Sequence, residues 1–135
     1  MAASSEQGGA GMLTNNSVLI IEDEFLIAEY LQTVLEDEGI TVAGTANNAA
    51  LARQLFDELN PAALICDIRL GREDGVELVR GLRESRAVGV VFVSGLGDEE
   101  TLERAQSTGP AGFVQKPMRP DVLVRKVREA LPQAA

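Results

Sequence analysis

The 135-residue chain contains no histidine, no tryptophan and only one cysteine. Without histidine, it lacks the side chain that most often serves as a general base near neutral pH and as a transition-metal ligand. Carboxylate oxygens remain as the obvious cation ligands, and they suit Mg²⁺, Mn²⁺ or Ca²⁺. One cysteine cannot form an internal disulfide, and the sequence has neither a signal peptide nor an apolar run of about 18 residues, so we expect a cytoplasmic protein.

Basic residues are scarce relative to acidic ones. Twelve lysines and arginines face 21 aspartates and glutamates, which gives a formal net charge of −9. Such a charge repels phosphate backbones, and no predicted helix carries a dense basic face that could overcome the repulsion. We therefore expect no direct binding to nucleic acid and no membrane partner.

Apolar residues recur with regular spacing along most of the chain. Residues 1–16 lack this pattern and are predicted to be a disordered tail, residues 17–131 form one predicted domain, and 132–135 form a second short tail. Within the domain, five short apolar runs alternate with five stretches of helical period, which is typical of an α/β protein with a doubly wound, five-stranded parallel sheet. The predicted strands are 17–22, 40–44, 62–66, 88–94 and 111–115.

Capping residues mark the ends of the predicted helices. The first helix should stop before Gly39, the second should run through Leu59, and the fifth should span about 120–131. The predicted N-terminal residues are Asn47 or Asn48 for the second helix, Asp74 for the third and Asp98 for the fourth.

Polar residues follow four of the five predicted strands. Glu22 and Asp23 follow the first strand, Asp67 the third, Ser94 the fourth and Lys116 the fifth. Ligands of open parallel sheets bind beyond the carboxyl ends of the strands, so these residues define one candidate site. Two carboxylates about 5 Å apart repel by roughly 3 kcal/mol at an effective dielectric constant of about 20, so such a cluster favours a bound cation. Mg²⁺ is the expected ion, and Mn²⁺ could substitute for it.

This pattern resembles the receiver domain of bacterial two-component response regulators over residues 17 to 131. The resemblance rests on Leu19-Ile20-Ile21-Glu22-Asp23-Glu24, on Asp67 after the third strand, on Phe92-Val93-Ser94-Gly95 and on Phe113-Val114-Gln115-Lys116-Pro117. It implies a flavodoxin-like (βα)5 fold with strand order 2-1-3-4-5. It also makes Lys116-Pro117 a candidate for a cis peptide bond.

The resemblance also implies a role for each site residue. Asp67 would accept the phosphoryl group, while Asp23, Asp67 and the backbone carbonyl of Arg69 would hold Mg²⁺ and Glu22 would bind it through water. The residues implied in phosphate binding and switching are Ser94, Lys116 and Phe113. Glu22, Phe113 and Gly95 stand where aspartate, tyrosine and alanine are frequent in receivers, and Phe113 could instead be ordinary core packing.

A single-domain regulator of this kind would take phosphate from a sensor histidine kinase or a histidine phosphotransfer protein. It would catalyse only its own phosphorylation and dephosphorylation. Phosphorylation would change a surface formed by helix four, strand five and helix five, which an unknown downstream protein would bind. The expected state is a monomer or a weak dimer, and the chain could equally be a receiver excised from a larger protein.

Two other functions remain open at this stage. The first is a protein-interaction module that keeps the receiver fold but works without phosphorylation. The second is an aspartate-nucleophile phosphatase, which is disfavoured because Arg69 occupies the position of its usual second acid. Nucleotide binding is not expected, since the sequence has no Gly-x-x-x-x-Gly-Lys-Ser/Thr loop and no Gly-x-Gly-x-x-Gly after the first strand.

Overall fold

The computed structural model describes residues 15–95 and 97–132. They form a five-stranded parallel sheet with helices on both faces, and the strand order β2-β1-β3-β4-β5 confirms the predicted fold class. The strands are β1 Ser17–Ile21, β2 Thr41–Ala46, β3 Ala63–Asp67, β4 Gly89–Ser94 and β5 Gly112–Gln115. The helices are α1 Phe25–Asp37, α2 Ala49–Leu59, α3 Gly75–Ser85, α4 Glu99–Gln106 and α5 Pro120–Ala130.

The predicted tails fall largely outside the described residues. Two residues of the predicted N-terminal tail are described, and both are tied to the domain: Asn15 donates a side-chain hydrogen bond to the carbonyl of Asn60, and Asn16 donates one to the carbonyl of Gly39. Within the described part of the chain, no helix is long and apolar enough to cross a membrane.

Alternating residues of the strands supply two hydrophobic cores, one on each face of the sheet. In β1, Leu19 and Ile21 pack with residues of α2, α3 and α4, whereas Val18 and Ile20 pack with residues of α1 and α5. Because successive side chains of a strand point to opposite faces, a strand covered on both faces must be apolar throughout. In β3 all five residues are buried, the first four are apolar, and the only polar residue, Asp67, stands at the end of the strand. The continuous apolar runs in the sequence have this origin.

The register of the sheet brings the polar residues to one edge. It pairs Ile21 with Cys66, Asp67 with Val93 and Ser94 with Gln115. The predicted strand boundaries need small corrections: β1 ends at Ile21 rather than at residue 22, and the other four strands each begin one residue later than predicted. The largest differences are that β2 extends to Ala46 rather than ending at residue 44 and that β3 includes Asp67. The pairing of β2 continues because Glu22 donates its backbone N–H to the carbonyl of Ala46 at 2.9 Å.

The helix caps combine confirmed predictions with one difference. Asn48 accepts a hydrogen bond from the backbone N–H of Leu51, and Asp74 accepts from those of Val76 and Glu77, as expected for N-terminal caps. Helix α4 begins just after Asp98, but the side chain of Asp98 makes no capping bond to the helix.

A short hairpin follows β3 and was not predicted. Its two-residue strands, Arg69–Leu70 and Glu73–Asp74, pair in antiparallel fashion, and Gly71 adopts a φ of 63° at the turn. Such short strands have no detectable hydrophobic period. The hairpin leads the chain from Asp67 back to the start of α3.

Candidate functional site

Three carboxylates from two strand ends converge at the sheet edge. One oxygen from each of Glu22, Asp23 and Asp67 lies within 4.8 Å of the others. Glu22 and Asp67 are buried, at 3 and 4% exposure, and Asp23 is exposed. The predicted acidic cluster therefore forms, with two members inside the protein and one facing solvent.

Glu22 has a hydrogen-bond donor for only one of its two carboxylate oxygens among the described residues. Its Oε2 accepts a hydrogen bond from the backbone N–H of Glu24 at 3.1 Å, but its buried Oε1 accepts none from the described residues. Burial, together with the nearby charge of Asp67, raises the pKa of Glu22 to about 8. A buried oxygen without a donor, beside a second carboxylate, is suited to a cation or to water held by one.

Asp67 is held from two sides. Its Oδ1 accepts a hydrogen bond from the backbone N–H of Arg69 at 3.1 Å, and its Oδ2 accepts one from Nζ of Lys116 at 2.9 Å. Lys116 Nζ also lies 3.7 Å from Oε1 of Glu22 and 3.8 Å from Oε2 of Glu24. Partial burial lowers the pKa of Lys116, but the hydrogen bond and charge of Asp67 outweigh this effect and leave the pKa above its usual value.

Ser94 ends β4 beside this cluster and is also buried. Its backbone carbonyl accepts a hydrogen bond from the N–H of Lys116 at 2.8 Å, which fixes the end of β5 against the end of β4. The next peptide bond, Lys116-Pro117, is cis. Both predicted phosphate-binding residues thus lie at the same edge as Asp67.

Phe113 is half-buried and packs on the core. Its ring stacks on that of Phe92, with centroids 6.0 Å apart and planes inclined by 25°. The same ring borders a cavity of roughly 430 Å³ that Ser94, Leu102 and Gln106 also line. Phe113 therefore has both a packing partner and open space beside it. Its role as a switch stays a prediction.

The donor set fits the predicted metal ion. Carboxylate oxygens are ligands of Mg²⁺ and Mn²⁺, and the exposed Asp23 leaves one side of the cluster open to water or phosphate. Arg69, whose carbonyl is the remaining predicted ligand, is adjacent because its backbone N–H bonds to Asp67. Asp23, Asp67 and that carbonyl would hold Mg²⁺, with Glu22 acting through water.

Two features of the site were missed from the sequence. Gly75 packs so closely against β3 that a Cβ on it would lie 2.0 Å from the carbonyl oxygen of Asp67. Asp98, predicted only as a helix start, is buried and forms an ion pair with Arg69. A glycine at a helix start and an acid before a helix are common, so neither residue carried a distinctive signal.

An exposed apolar surface adjoins the site. Phe25 and Leu26, at the start of α1, are 71 and 76% exposed. Leu26 also lines a cavity of roughly 700 Å³ together with Tyr30, Lys116 and Met118. We call this surface, formed by Phe25, Leu26, Tyr30, Pro117 and Met118, the α1 patch.

Comparison with curated proteins identifies several relatives. The chain is 33% identical over 114 residues to the TorCAD operon transcriptional regulatory protein TorR of Escherichia coli K12, covering 84% of this chain and 49% of that protein. It is 35% identical over 103 residues to protein-glutamate methylesterase/protein-glutamine glutaminase 2 of Xanthomonas oryzae, covering 74% of this chain and 29% of that protein. The chain thus spans half or less of the length of these two relatives.

Solved structures and the family comparison agree. The chain is similar to the receiver domain of NtrX from Brucella abortus, with 31% identity, a TM-score of 0.79 and coverage of 84% of this chain and 97% of that one. It is also similar to the signal receiver domain of a modulated diguanylate cyclase from Desulfovibrio desulfuricans, with 35% identity, a TM-score of 0.78 and coverage of 84 and 91%. Residues 18–128 match the family described as response regulator receiver domain. The chain therefore belongs to the receiver domain family of the response regulators of two-component signalling.

Proposed function

We propose that the chain is a Mg²⁺-dependent phospho-acceptor whose Asp67 takes a phosphoryl group from a histidine kinase or a histidine phosphotransfer protein. The observation that carries this proposal is the environment of Asp67. Its carboxylate is buried at the sheet edge, bonded to Lys116 at 2.9 Å and grouped with Glu22 and Asp23. A nucleophile, a cation to balance its charge and a set of metal ligands are thus in one place.

In the reaction, a carboxylate oxygen of Asp67 attacks the phosphorus atom of a phosphohistidine. The phosphorus–nitrogen bond breaks, its electron pair stays on the imidazole nitrogen, and Asp67 becomes an acyl phosphate. Lys116 and the hydroxyl of Ser94 bind phosphoryl oxygens. When bound, Mg²⁺ would neutralise part of the negative charge on the transferring phosphoryl group.

The α1 patch supports a protein as the phosphate donor. A small donor needs no apolar surface, whereas protein interfaces are built around aromatic and aliphatic side chains. Phe25 and Leu26 are exposed, and Leu26 lines a cavity together with Lys116. Tyr30 lines the same cavity and is held there by a hydrogen bond from its hydroxyl to the carbonyl of Met118. We assign this patch to the contact with the donor.

The output of the reaction is a changed surface formed by α4, β5 and α5. A hydrogen bond from Ser94 to the phosphoryl group draws the end of β4 toward Asp67. The cavity beside Ser94 and Leu102 gives the Phe113 ring space to move into. A downstream protein that binds this surface reads the phosphorylation state.

The test is the intact mass of the protein after incubation with phosphoramidate or acetyl phosphate, with and without Mg²⁺. The wild type should gain one phosphoryl group only when Mg²⁺ is present, and Asp67→Asn should gain none. Asp57→Asn, an exposed aspartate on α2, is the matched control and should behave as the wild type.

Failure of the wild type to gain mass, from these donors and from a cognate phosphohistidine protein, would refute the proposal. It would favour the phosphorylation-independent interaction module. Continuous turnover of small phosphate esters would instead favour the phosphatase.

A further inference from the structure

Asp98 is a buried acid to which the proposed mechanism gives no role. Among the described residues, the buried polar side chains are those of Glu22, Asp67, Ser94 and Asp98. The first three belong to the phosphorylation site. Burying a carboxylate is costly unless it is paired, so the contacts of Asp98 need an explanation.

The contacts of Asp98 lead back to the switch residue instead of into helix α4. Its Oδ2 accepts a hydrogen bond from the backbone N–H of Gly95 at 2.7 Å, and Gly95 directly follows Ser94. No capping bond to α4 is made. Asp98 therefore holds the backbone immediately after the predicted switch hydroxyl.

Arg69 is the cation that balances Asp98. Its Nε lies 2.9 Å from Oδ1 of Asp98, and its Nη2 donates a hydrogen bond to the carbonyl of Gly97 at 3.1 Å. The Asp98 side chain is 6% exposed, whereas that of Arg69 is 65% exposed. Asp98 Oδ1 nevertheless accepts no hydrogen bond of acceptable geometry from the described residues. The pair is thus held by charge, without an aligned N–H bond, and the guanidinium is open to another anion.

Arg69 also contacts the phospho-acceptor. Its backbone N–H donates to Oδ1 of Asp67 at 3.1 Å, while its side chain extends to Asp98. One residue therefore joins the nucleophile to the segment after β4. A phosphoryl group on Asp67 would place a charge of about −1.5 to −2 within reach of the same guanidinium.

We infer that Arg69 exchanges Asp98 for the phosphoryl group when Asp67 is phosphorylated, and that Asp98 is a positioning residue that holds Gly95 in the unphosphorylated state. This inference rests on the proposed function. The exchange replaces one charge-assisted contact of Arg69 with another. It deprives Asp98 of its counter-ion, and because a buried carboxylate without a cation is unfavourable, Asp98 releases Gly95 and frees Ser94 to reach the phosphoryl oxygens.

The Gly95 amide proton reports this contact directly in solution NMR. In the unphosphorylated wild type it should resonate far downfield, because a short bond to a carboxylate deshields the proton. Loading with beryllium fluoride and Mg²⁺, a stable mimic of the phosphoryl group, should move it upfield. In Arg69→Gln the shift should not respond to loading, since no guanidinium is present to make the exchange.

Asp98→Asn supplies the second readout. It keeps an acceptor for Gly95 but removes the charge that competes for Arg69. We expect phosphorylation by phosphoramidate to become about three- to tenfold faster, a factor of ten corresponding to about 1.4 kcal/mol. Glu99→Gln removes an exposed acid one residue away and should leave the rate unchanged.

The outcomes separate this inference from the proposed function. If the wild type loads but the Gly95 amide does not move, or if Arg69→Gln responds as the wild type does, the exchange is refuted and the phospho-acceptor role stands. Equal rates for Asp98→Asn and Glu99→Gln would also refute it. If the wild type never loads, both the proposed function and the exchange fail.

Discussion

The contact between Gly75 and the backbone of Asp67 leads to a prediction about both stability and reaction rate. A Cβ added to Gly75 would lie 2.0 Å from the carbonyl oxygen of Asp67 and 3.0 Å from that of Ile68. Ordinary van der Waals contacts at such positions begin near 3.4 Å, so Gly75→Ala would require a displacement of about 1.4 Å. Both obstructing atoms belong to backbone, which moves less easily than a side chain.

The magnitude follows from two opposing effects. Overpacking of this kind costs about 1–3 kcal/mol, whereas replacing a helical glycine by alanine gains about 0.5–1 kcal/mol. Because both obstructing atoms are backbone, the cost should lie near 3 kcal/mol, which leaves a net loss of about 2 kcal/mol in the free energy of unfolding. At about 4 °C per kcal/mol for a domain of this size, the Tm should fall by about 8 °C.

Gly81 provides the matched control in the same helix. It is exposed, and an added Cβ there would meet no atom within 4 Å among the described residues. Gly81→Ala should therefore stabilise the protein by about 0.5–1 kcal/mol. Chemical denaturation of both variants measures the difference directly.

The reaction rate gives an independent check. Displacing the backbone of Asp67 by about 1 Å moves the nucleophile, which can slow a positioned reaction by about a hundredfold. Phosphorylation of Gly75→Ala by phosphoramidate should thus be much slower than that of Gly81→Ala. Wild-type stability and wild-type phosphorylation in Gly75→Ala would show that the close approach does not constrain the site.

Other predictions concern the charged groups of the site. Lys116→Ala should still take up phosphate in part, but the Phe113 resonances should not move on loading, because the cation that binds the phosphoryl group is gone. Lys126→Ala, which alters the only other lysine, should respond as the wild type does. Ser94→Ala should likewise take up phosphate without moving the Phe113 resonances. Full movement of those resonances in this variant would contradict the role given to the Ser94 hydroxyl. For Glu22, the folded-state pKa lies near 8 and the ordinary value at 4.5, so its contribution to stability is fully present below pH 4.5 and is lost as the pH rises through 8. In EDTA, the free energy of unfolding of the wild type, measured relative to that of Glu22→Gln, should fall by up to about 2 kcal/mol between pH 6 and 8. If the stabilities of the two proteins instead change in parallel with pH, this reasoning is contradicted.

The sequence alone determined the fold and the membership of the acidic cluster. Buried parallel strands are apolar along most of their length, so the ends of β1 and β3 were marked by polar residues, Glu22 just after β1 and Asp67 at the last position of β3. Local caps were equally visible, since Asn48 and Asp74 bond to helix residues within three positions of themselves.

Only the tertiary structure decided how the neighbouring segments meet around Asp67. The contact of Gly75 with the Asp67 backbone depends on how α3 packs against β3, and the pair between Arg69 and Asp98 joins two loops that are 29 positions apart. A local pattern records what a residue needs from its own strand or helix. It does not record the distance between two elements. Because α3 lies so close to β3, position 75 has no room for a side chain, and because of how the segment after β4 folds, Asp98 bonds to Gly95 rather than to its own helix.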